Sequence, residues 1–289
     1  MMIYCLGAMR IKQWPKQFLI FLPMLAANKY EFIYFEKGIA GFIIFSLAAS
    51  FIYIFNDLID IKNDKIHPLK KSRPIASGKL SKTNGKLLGL FLLCLALILG
   101  IKYNVLNILI IYFIINFFYS FYLKKIKFID IIILSLFYFI RVYFGSKILN
   151  IELSEWLFIF VFFLFTALAI IKRLNEVEKY KKKFNIYEKK DSKFLIKILY
   201  ICNFFSAFCL IFYSFSQKIN IIYKTPILMW VLISIYSYWL YFISSLAKKG
   251  RINQDPVVFI LTNKKSILLI VTSFIFLIIS QNFKITLFS

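Results

Sequence analysis

The sequence predicts an all-α polytopic membrane protein, and three observations carry that prediction. Hydrophobic residues make up 61% of the 289, and mean hydropathy is +0.77, well above the roughly 45–50% apolar content of soluble domains. Apolar runs long enough to cross a bilayer, about 20 residues each, recur along the chain. Runs such as Ser266–Ser280 lack the short alternating pattern of a membrane β-barrel. Lipid leaves backbone polar groups without outside partners, so continuous spans must be helical.

About nine spans are expected, centred on 17–28, 38–56, 86–102, 105–122, 128–148, 155–171, 194–216, 226–246 and 265–282. The first is short and interrupted by Pro15 and Pro23. The opening residues lack a basic segment followed by a cleavage site, so no removable signal peptide is expected. No soluble domain or low-complexity linker stands out, and residues 1–289 are expected to form one integral-membrane domain.

A net charge of +24 raises the question of nucleic acid, but its distribution points to topology. Of the 37 Lys and Arg, 28 fall on one predicted side, in the N-terminal segment and in 57–86, 123–127, 172–193 and 247–265. Seven fall on the other, and Arg141 and Lys197 lie within spans. The basic side is expected to be cytoplasmic, with the N-terminus inside. Attraction to anionic lipid accounts for much of this charge. No loop is long enough to form a basic nucleic-acid module. The four cysteines, Cys5, Cys94, Cys202 and Cys209, are scattered without metal-type spacing and are expected to pack as small hydrophobes. The 35 phenylalanines are expected to supply lipid-facing and interior bulk.

Two polar loops interrupt the apolar pattern, 57–86 and 172–193. The first begins acidic and the second basic, so any repeat between them is structural at best. The first opens with Asn56-Asp57-Leu58-Ile59-Asp60-Ile61-Lys62-Asn63-Asp64. If the preceding helix continues, Asn56, Asp57, Asp60 and Asp64 fall at roughly 0°, 100°, 40° and 80° around it. Carboxylates held in one arc repel unless cations neutralise them. Oxygen ligands of this kind suit Mg²⁺, which bridges a carboxylate to a substrate phosphate. A solvated helix end paired with Lys62, Lys65 or Lys70 is the plain alternative. Only 13 Asp and Glu exist, however, and acids at a lipid boundary point to function.

Downstream, Pro68, Pro74 and Gly78 impose turns, which are expected to fold Lys70, Lys71 and Arg73 back towards the acids. Arg73 stands out because only five arginines occur, and its fork suits bidentate phosphate contact. His67 is expected to be structural.

The motif Asn56-Asp57-x-x-Asp60-x-x-x-Asp64, followed by Arg73-Pro74-Ile75-Ala76-Ser77-Gly78, resembles the UbiA superfamily of intramembrane prenyltransferases. The span count and motif position extend the resemblance over essentially the whole chain. It implies a helical bundle around a central cavity, and a first acidic motif that binds Mg²⁺ and a diphosphate. That superfamily commonly has a second Asp-rich motif after the sixth span. Here the stretch reads Lys172-Arg173-Leu174-Asn175-Glu176, which is basic at its start. Lys172 and Arg173 share a helical face with Glu176.

That replacement is similar to the polyprenyl-phosphate phosphoribosyltransferase branch. Three further segments resemble it: the opening Met9-Arg10-Ile11-Lys12-Gln13-Trp14-Pro15-Lys16-Gln17, His67-Pro68 with Lys71-x-Arg73-Pro74, and Asp255-Pro256. Asn263 stands where an acid would be expected. The resemblance implies phosphoribosyl diphosphate as donor and a decaprenyl or undecaprenyl phosphate as acceptor. It implies Asp57, Asp60 and Asp64 on Mg²⁺, Asn56 beside them, and Arg73 and Lys71 on the diphosphate. Lys172 and Arg173 would hold the ribose 5-phosphate or the lipid phosphate, and Glu176 a ribose hydroxyl or Arg173 itself. The acceptor phosphate is already anionic at pH 7, so no general base is required.

Asp130 and Arg141 complete the candidate set. Asp130 lies beside the turn that carries Tyr122 and Lys124. Arg141 lies 11 residues further, roughly 16 Å deeper, where arginine should face protein or water. Two other functions stay open: prenyl transfer from a prenyl diphosphate to an aromatic acceptor, and a transporter with an anion site. The transporter lacks support from any hydropathy repeat with paired broken helices.

Overall fold

A computed structural model describes residues 1–179, 186–252 and 255–284. Residues 180–185 of the second basic loop lie outside the described residues, as do 253–254 and 285–289. Among the described residues every regular element is a helix. In order, the helices are α1 (Met2–Met9), a 3₁₀ helix (Ile11–Phe21), α2 (Leu22–Ala26), α3 (Phe32–Ile59), α4 (Ile61–Ile66), α5 (Lys82–Lys102) and α6 (Leu106–Phe121). There follow α7 (Ile129–Leu149), α8 (Glu155–Lys179), α9 (Ser192–Ser214), α10 (Gln217–Ile222), α11 (Leu228–Lys248), α12 (Pro256–Ile260) and α13 (Lys264–Asn282).

Seven of these, α3, α5, α7, α8, α9, α11 and α13, are long and apolar enough to cross a membrane, and α6 is a shorter apolar helix of 16 residues. The expected span at 17–28 is corrected: the chain runs as 3₁₀ helix to Phe21 and then as a five-residue α-helix. Proline explains the change. Pro15 lies inside the 3₁₀ segment and Pro23 opens α2, and each removes a donor that a continuous α-helix would use.

The chain divides into two compact units. One comprises Met1–Met24, Tyr30–Ile126 and Ile140–Glu152; the other comprises Leu25–Lys29, Lys127–Phe139 and Leu153–Ser289. In the first unit, α3 packs against α1, the 3₁₀ helix, α5 and α6. Its centre is aromatic: the Phe45 ring meets Phe144 edge-on at 5.1 Å and Tyr112 at 4.7 Å, and such pairs add about 0.5–1.5 kcal/mol beyond area.

Small residues admit the 3₁₀ helix to this core. A Cβ on Gly145 would stand 2.2 Å from the Ile20 carbonyl oxygen and 2.9 Å from its Cα. Because the obstacle is backbone, Gly145→Ala should destabilise the protein by about 1–3 kcal/mol. A lowered unfolding temperature in detergent checks this; an unchanged one would mean the 3₁₀ helix yields freely.

In the second unit, α8 packs against α9, α11 and α12, and α11 against α9 and α13. Helix starts here are capped from the sequence. Asp255 accepts from the Val257 amide at 3.2 Å with Pro256 following, and Asn263 accepts from the Ser266 amide at 3.1 Å. Asn and Asp cap equally well, so the missing acid at 263 costs the helix nothing. Cys202 and Cys209 are buried free thiols, as expected, whereas Cys94 is exposed.

Candidate active site

The first-loop acids emerge as α3 ends. Helical hydrogen bonding carries through the junction, from the Asp60 amide to the Asn56 carbonyl and from the Asp64 amide to the Asp60 carbonyl at 2.9 and 2.8 Å. Asp60 itself departs from helical geometry, at φ −88° and ψ 13°, so the single continuous helix assumed from the sequence is bent there. The bend divides the acids. Asp57 and Asp64 are buried, each 2% exposed, whereas Asp60 is 27% exposed.

Each acid has a cationic partner. Arg73 Nη1 donates to Asp57 Oδ1 at 3.1 Å and to Asp64 Oδ2 at 2.6 Å. Arg10 also pairs with Asp57, while its guanidinium lies over the Tyr53 ring at 4.8 Å. Asp60 pairs instead with Lys124, at 3.0 and 3.3 Å. Asn56 accepts from the Ser120 hydroxyl on α6 at 2.5 Å. The structure thus brings Asp57, Asp64 and Arg73 together and turns Asp60 aside.

The loop between α4 and α5 aims Arg73 through its turns. His67 and Arg73 are both extended, at ψ 132° and 143°, because a following proline disfavours helix. His67 is buried, and its Nδ1 accepts from the Leu69 and Lys70 amides, which gives it the structural role expected. Gly78 turns the chain at φ 79°, a conformation glycine adopts without strain. Buried Ile75, Ala76 and Leu80 anchor the loop. Lys71 does not join the acids. It is exposed on a short 3₁₀ turn and pairs with none of the three aspartates.

Arg10 and Lys124 were not singled out from the sequence as site residues. The usable signal for Arg10 was its rarity, the same criterion that selected Arg73. Its backbone is left-handed, φ 52°, which is uncommon outside glycine and asparagine. That kink between α1 and the 3₁₀ helix delivers its side chain to Asp57.

In the second unit, Arg173 on α8 makes a bidentate pair with Asp130 on α7, Nε to Oδ2 and Nη2 to Oδ1, both at 2.5 Å. Its third nitrogen, Nη1, pairs with Glu176. Asp130 is fully buried and Arg173 is 11% exposed. The guanidinium expected to meet a phosphate is therefore engaged by two carboxylates, and a phosphate would first have to displace the more exposed Glu176. Lys172 is half-buried on the same helix. Asn175 Oδ1, absent from the sequence-derived set, is buried without a hydrogen-bond partner.

The start of α7 is held by residues beyond α8. The Phe128 amide, at a left-handed φ of 66°, donates to the Tyr187 hydroxyl at 2.8 Å, and Lys127 pairs with Asp191 at 2.6 Å. Burial pushes the Tyr187 phenol up to about 12, so it stays protonated at neutral pH. Arg141 lies on the part of α7 that belongs to the first unit, 4% exposed, with Nε donating to Gln17 Oε1 at 2.8 Å.

Two buried carboxylates, Asp57 and Asp64, already converge on one positively charged nitrogen. Among the described residues, no group of three or more His, Cys, Asp or Glu could hold a metal. Such a pair of carboxylates suits an ion of the Mg²⁺ kind, which takes one or two carboxylates and completes its shell with water and phosphate. They do not fit a closed structural zinc site.

Comparison with known proteins adds the family. A decaprenyl-phosphate phosphoribosyltransferase of Mycolicibacterium smegmatis is 32% identical over 178 residues, 59% of this chain and 56% of that one. An uncharacterised protein of Sinorhizobium fredii is 28% identical over 278 residues, 90% of this chain and 52% of that one. The chain thus spans little more than half the length of these curated relatives. A solved UbiA homologue from Archaeoglobus fulgidus, bound to GPP and Mg²⁺, shares the fold with a TM-score of 0.71 at 18% identity, covering 95% of this chain and 99% of that one. The UbiA prenyltransferase family model matches residues 18–263. This chain, a multi-span membrane protein in which Arg73 bridges the buried carboxylates Asp57 and Asp64, belongs to the UbiA prenyltransferase family.

Proposed function

We propose that the protein transfers 5-phosphoribose from phosphoribosyl diphosphate to a polyprenyl phosphate of the decaprenyl or undecaprenyl type, with Mg²⁺, releasing diphosphate. The observation that carries this reading is the basic segment Lys172–Glu176, which stands where this family commonly has a second Asp-rich motif. A prenyl diphosphate held between two acidic motifs needs both, and this chain supplies one. The name of the Mycolicibacterium smegmatis relative supports the same choice.

Asp57 and Asp64 would hold the Mg²⁺, which when bound neutralises charge on the leaving diphosphate. Asp60, paired to Lys124 at the exposed rim, would join through water or orient that lysine. Arg73 and Arg10 place fixed positive charge beside the same acids, where it opposes the diphosphate's growing charge. Asn56, oriented by Ser120, lines this end of the site. The bond from C1 to the diphosphate oxygen breaks with its electron pair leaving on diphosphate, and a phosphate oxygen of the lipid attacks C1 from the opposite face. The resemblance assigns Lys172 and Glu176 to the acceptor phosphate and the sugar, and within the second unit Arg173 is the strut between Asp130 and Glu176. The active site would open to the cytoplasm of a bacterial inner membrane, a reading the charge asymmetry supports.

The test supplies purified protein with Mg²⁺, labelled phosphoribosyl diphosphate and undecaprenyl phosphate. Label in the lipid fraction, lost on chelation, is the expected result. No lipid-linked label, together with activity on a prenyl diphosphate and an aromatic acid, would establish the alternative.

A further inference from the structure

The first unit has a second polar centre, deeper than the acids and distinct from them. Gln17 is fully buried, and Lys16 and Arg141 are 8% and 4% exposed. Arg141 is held by Gln17 Oε1 and lies over the Phe45 and Tyr112 rings, at 5.1 and 5.9 Å. The charges of Lys16 and Arg141 both bear on the Tyr112 hydroxyl. Two cations drawn together inside a membrane protein are costly and mark a functional site by default.

A further observation asks for a ligand. Gln17 Nε2 is buried and has no hydrogen-bond partner. Ser46, one residue from Phe45, likewise has a buried hydroxyl without one. Buried polar atoms are almost always satisfied, so an orphaned donor beside two cations points to an anionic acceptor.

The centre is linked to the acids by polar residues. On α6, Ser120, Asn116 and Tyr112 lie one turn apart, all buried. Ser120 bonds Asn56, and the Asn116 amide donates to the Tyr112 carbonyl at 2.7 Å. On α3, Ser50 accepts from Trp14 at 3.1 Å and donates along the same interior. Counting along α6 from Ser120 to Tyr112, and along α3 from Asn56 to Phe45, the centres are about 12–16 Å apart at 1.5 Å per residue. The side chains and the metal shorten that gap from both ends.

We infer that Lys16, Gln17 and Arg141 form a second, metal-independent phosphate site that takes the 5-phosphate of the sugar donor. The inference rests on the donor proposed above. Distance separates the two phosphates that could supply the anion. The lipid phosphate must reach C1, directly beside the diphosphate, and would not extend two to three helical turns away. A sugar phosphorylated at both ends spans the interval, and its hydroxyls match a polar lining. A prenyl chain would require an apolar one.

The variant Gln17→Glu isolates the site. It keeps the oxygen that receives Arg141 Nε but replaces the orphaned donor with an acceptor that repels phosphate. Binding is measured on the full chain in detergent with Mg²⁺, using labelled phosphoribosyl diphosphate and, separately, inorganic pyrophosphate. The donor's Kd should rise roughly tenfold or more, with that of pyrophosphate within about twofold of wild type. Lys16→Gln, which removes a charge and adds none, should give the same selective loss and covers a failure of the first variant to fold. An unchanged donor Kd in both variants would overturn the site. Intact donor binding with a raised KM for polyprenyl phosphate would overturn its assignment to the sugar. If wild type binds geranyl diphosphate and not phosphoribosyl diphosphate, the donor reading itself falls and takes this one with it.

Discussion

Asp57→Asn should reduce kcat/KM by roughly a thousand-fold or more, because charge neutralisation at the leaving diphosphate contributes several kcal/mol at about 1.36 kcal/mol per tenfold. The carboxylate is 2% exposed and receives both Arg10 and Arg73. Asparagine keeps the shape but turns an amide into this setting and leaves two guanidinium groups facing each other. Asp64→Asn should behave similarly, since Arg73 bridges the two acids. Asp60→Asn should do less, because Asp60 and Lys124 are 27% and 30% exposed and such pairs contribute about 0–1 kcal/mol to stability. Turnover, Mg²⁺-dependent pyrophosphate binding and unfolding temperature, measured on all three variants, check the order. Equal losses at all three positions would place Asp60 on the metal with the others.

Asp130→Ala should cost about 3–5 kcal/mol of stability, the usual penalty for removing one partner of a buried ion pair. Asp130 has no exposed surface, and it accepts two bonds from Arg173. Without it the guanidinium loses two bonds to a fully buried acid. The double variant Asp130→Leu with Arg173→Met should recover most of the lost stability, because apolar replacements of both partners are often neutral or better. Turnover should not return with it, since Arg173 also orients Glu176. Thermal unfolding in detergent and the lipid-labelling assay separate these effects. Recovery of both stability and turnover would reduce the pair to a helix fastener.

The contrast between these two clusters follows from what periodicity can and cannot say. Helical spacing grouped Asn56, Asp57, Asp60 and Asp64 in one arc, and Asp57 and Asp64 do share one guanidinium. It could not foresee the bend at Asp60, which arises where the spanning helix ends and the loop begins. Spacing also placed Arg173 near Glu176, one turn along. The partner that dominates Arg173 is Asp130, 43 residues earlier, and no local pattern encodes a contact between helices.

Composition, hydropathy and the short acidic motif determined the class, most of the spans and the family, because these depend on the solvent a segment must face and on residues close in sequence. The site's wiring depended on long-range packing. Arg10 reaches Asp57 across 47 positions, and Arg141 reaches Gln17 across 124. The 3₁₀ path of residues 11–21 was equally hidden, since it rests on Pro15 and on the close approach at Gly145. The sequence alone therefore determined a membrane-embedded helical protein of this family, with its acidic motif at Asn56–Asp64. Only the tertiary structure decided which cations meet those acids, and that a second buried basic centre lies further along the same unit, because both depend on which helices pack side by side.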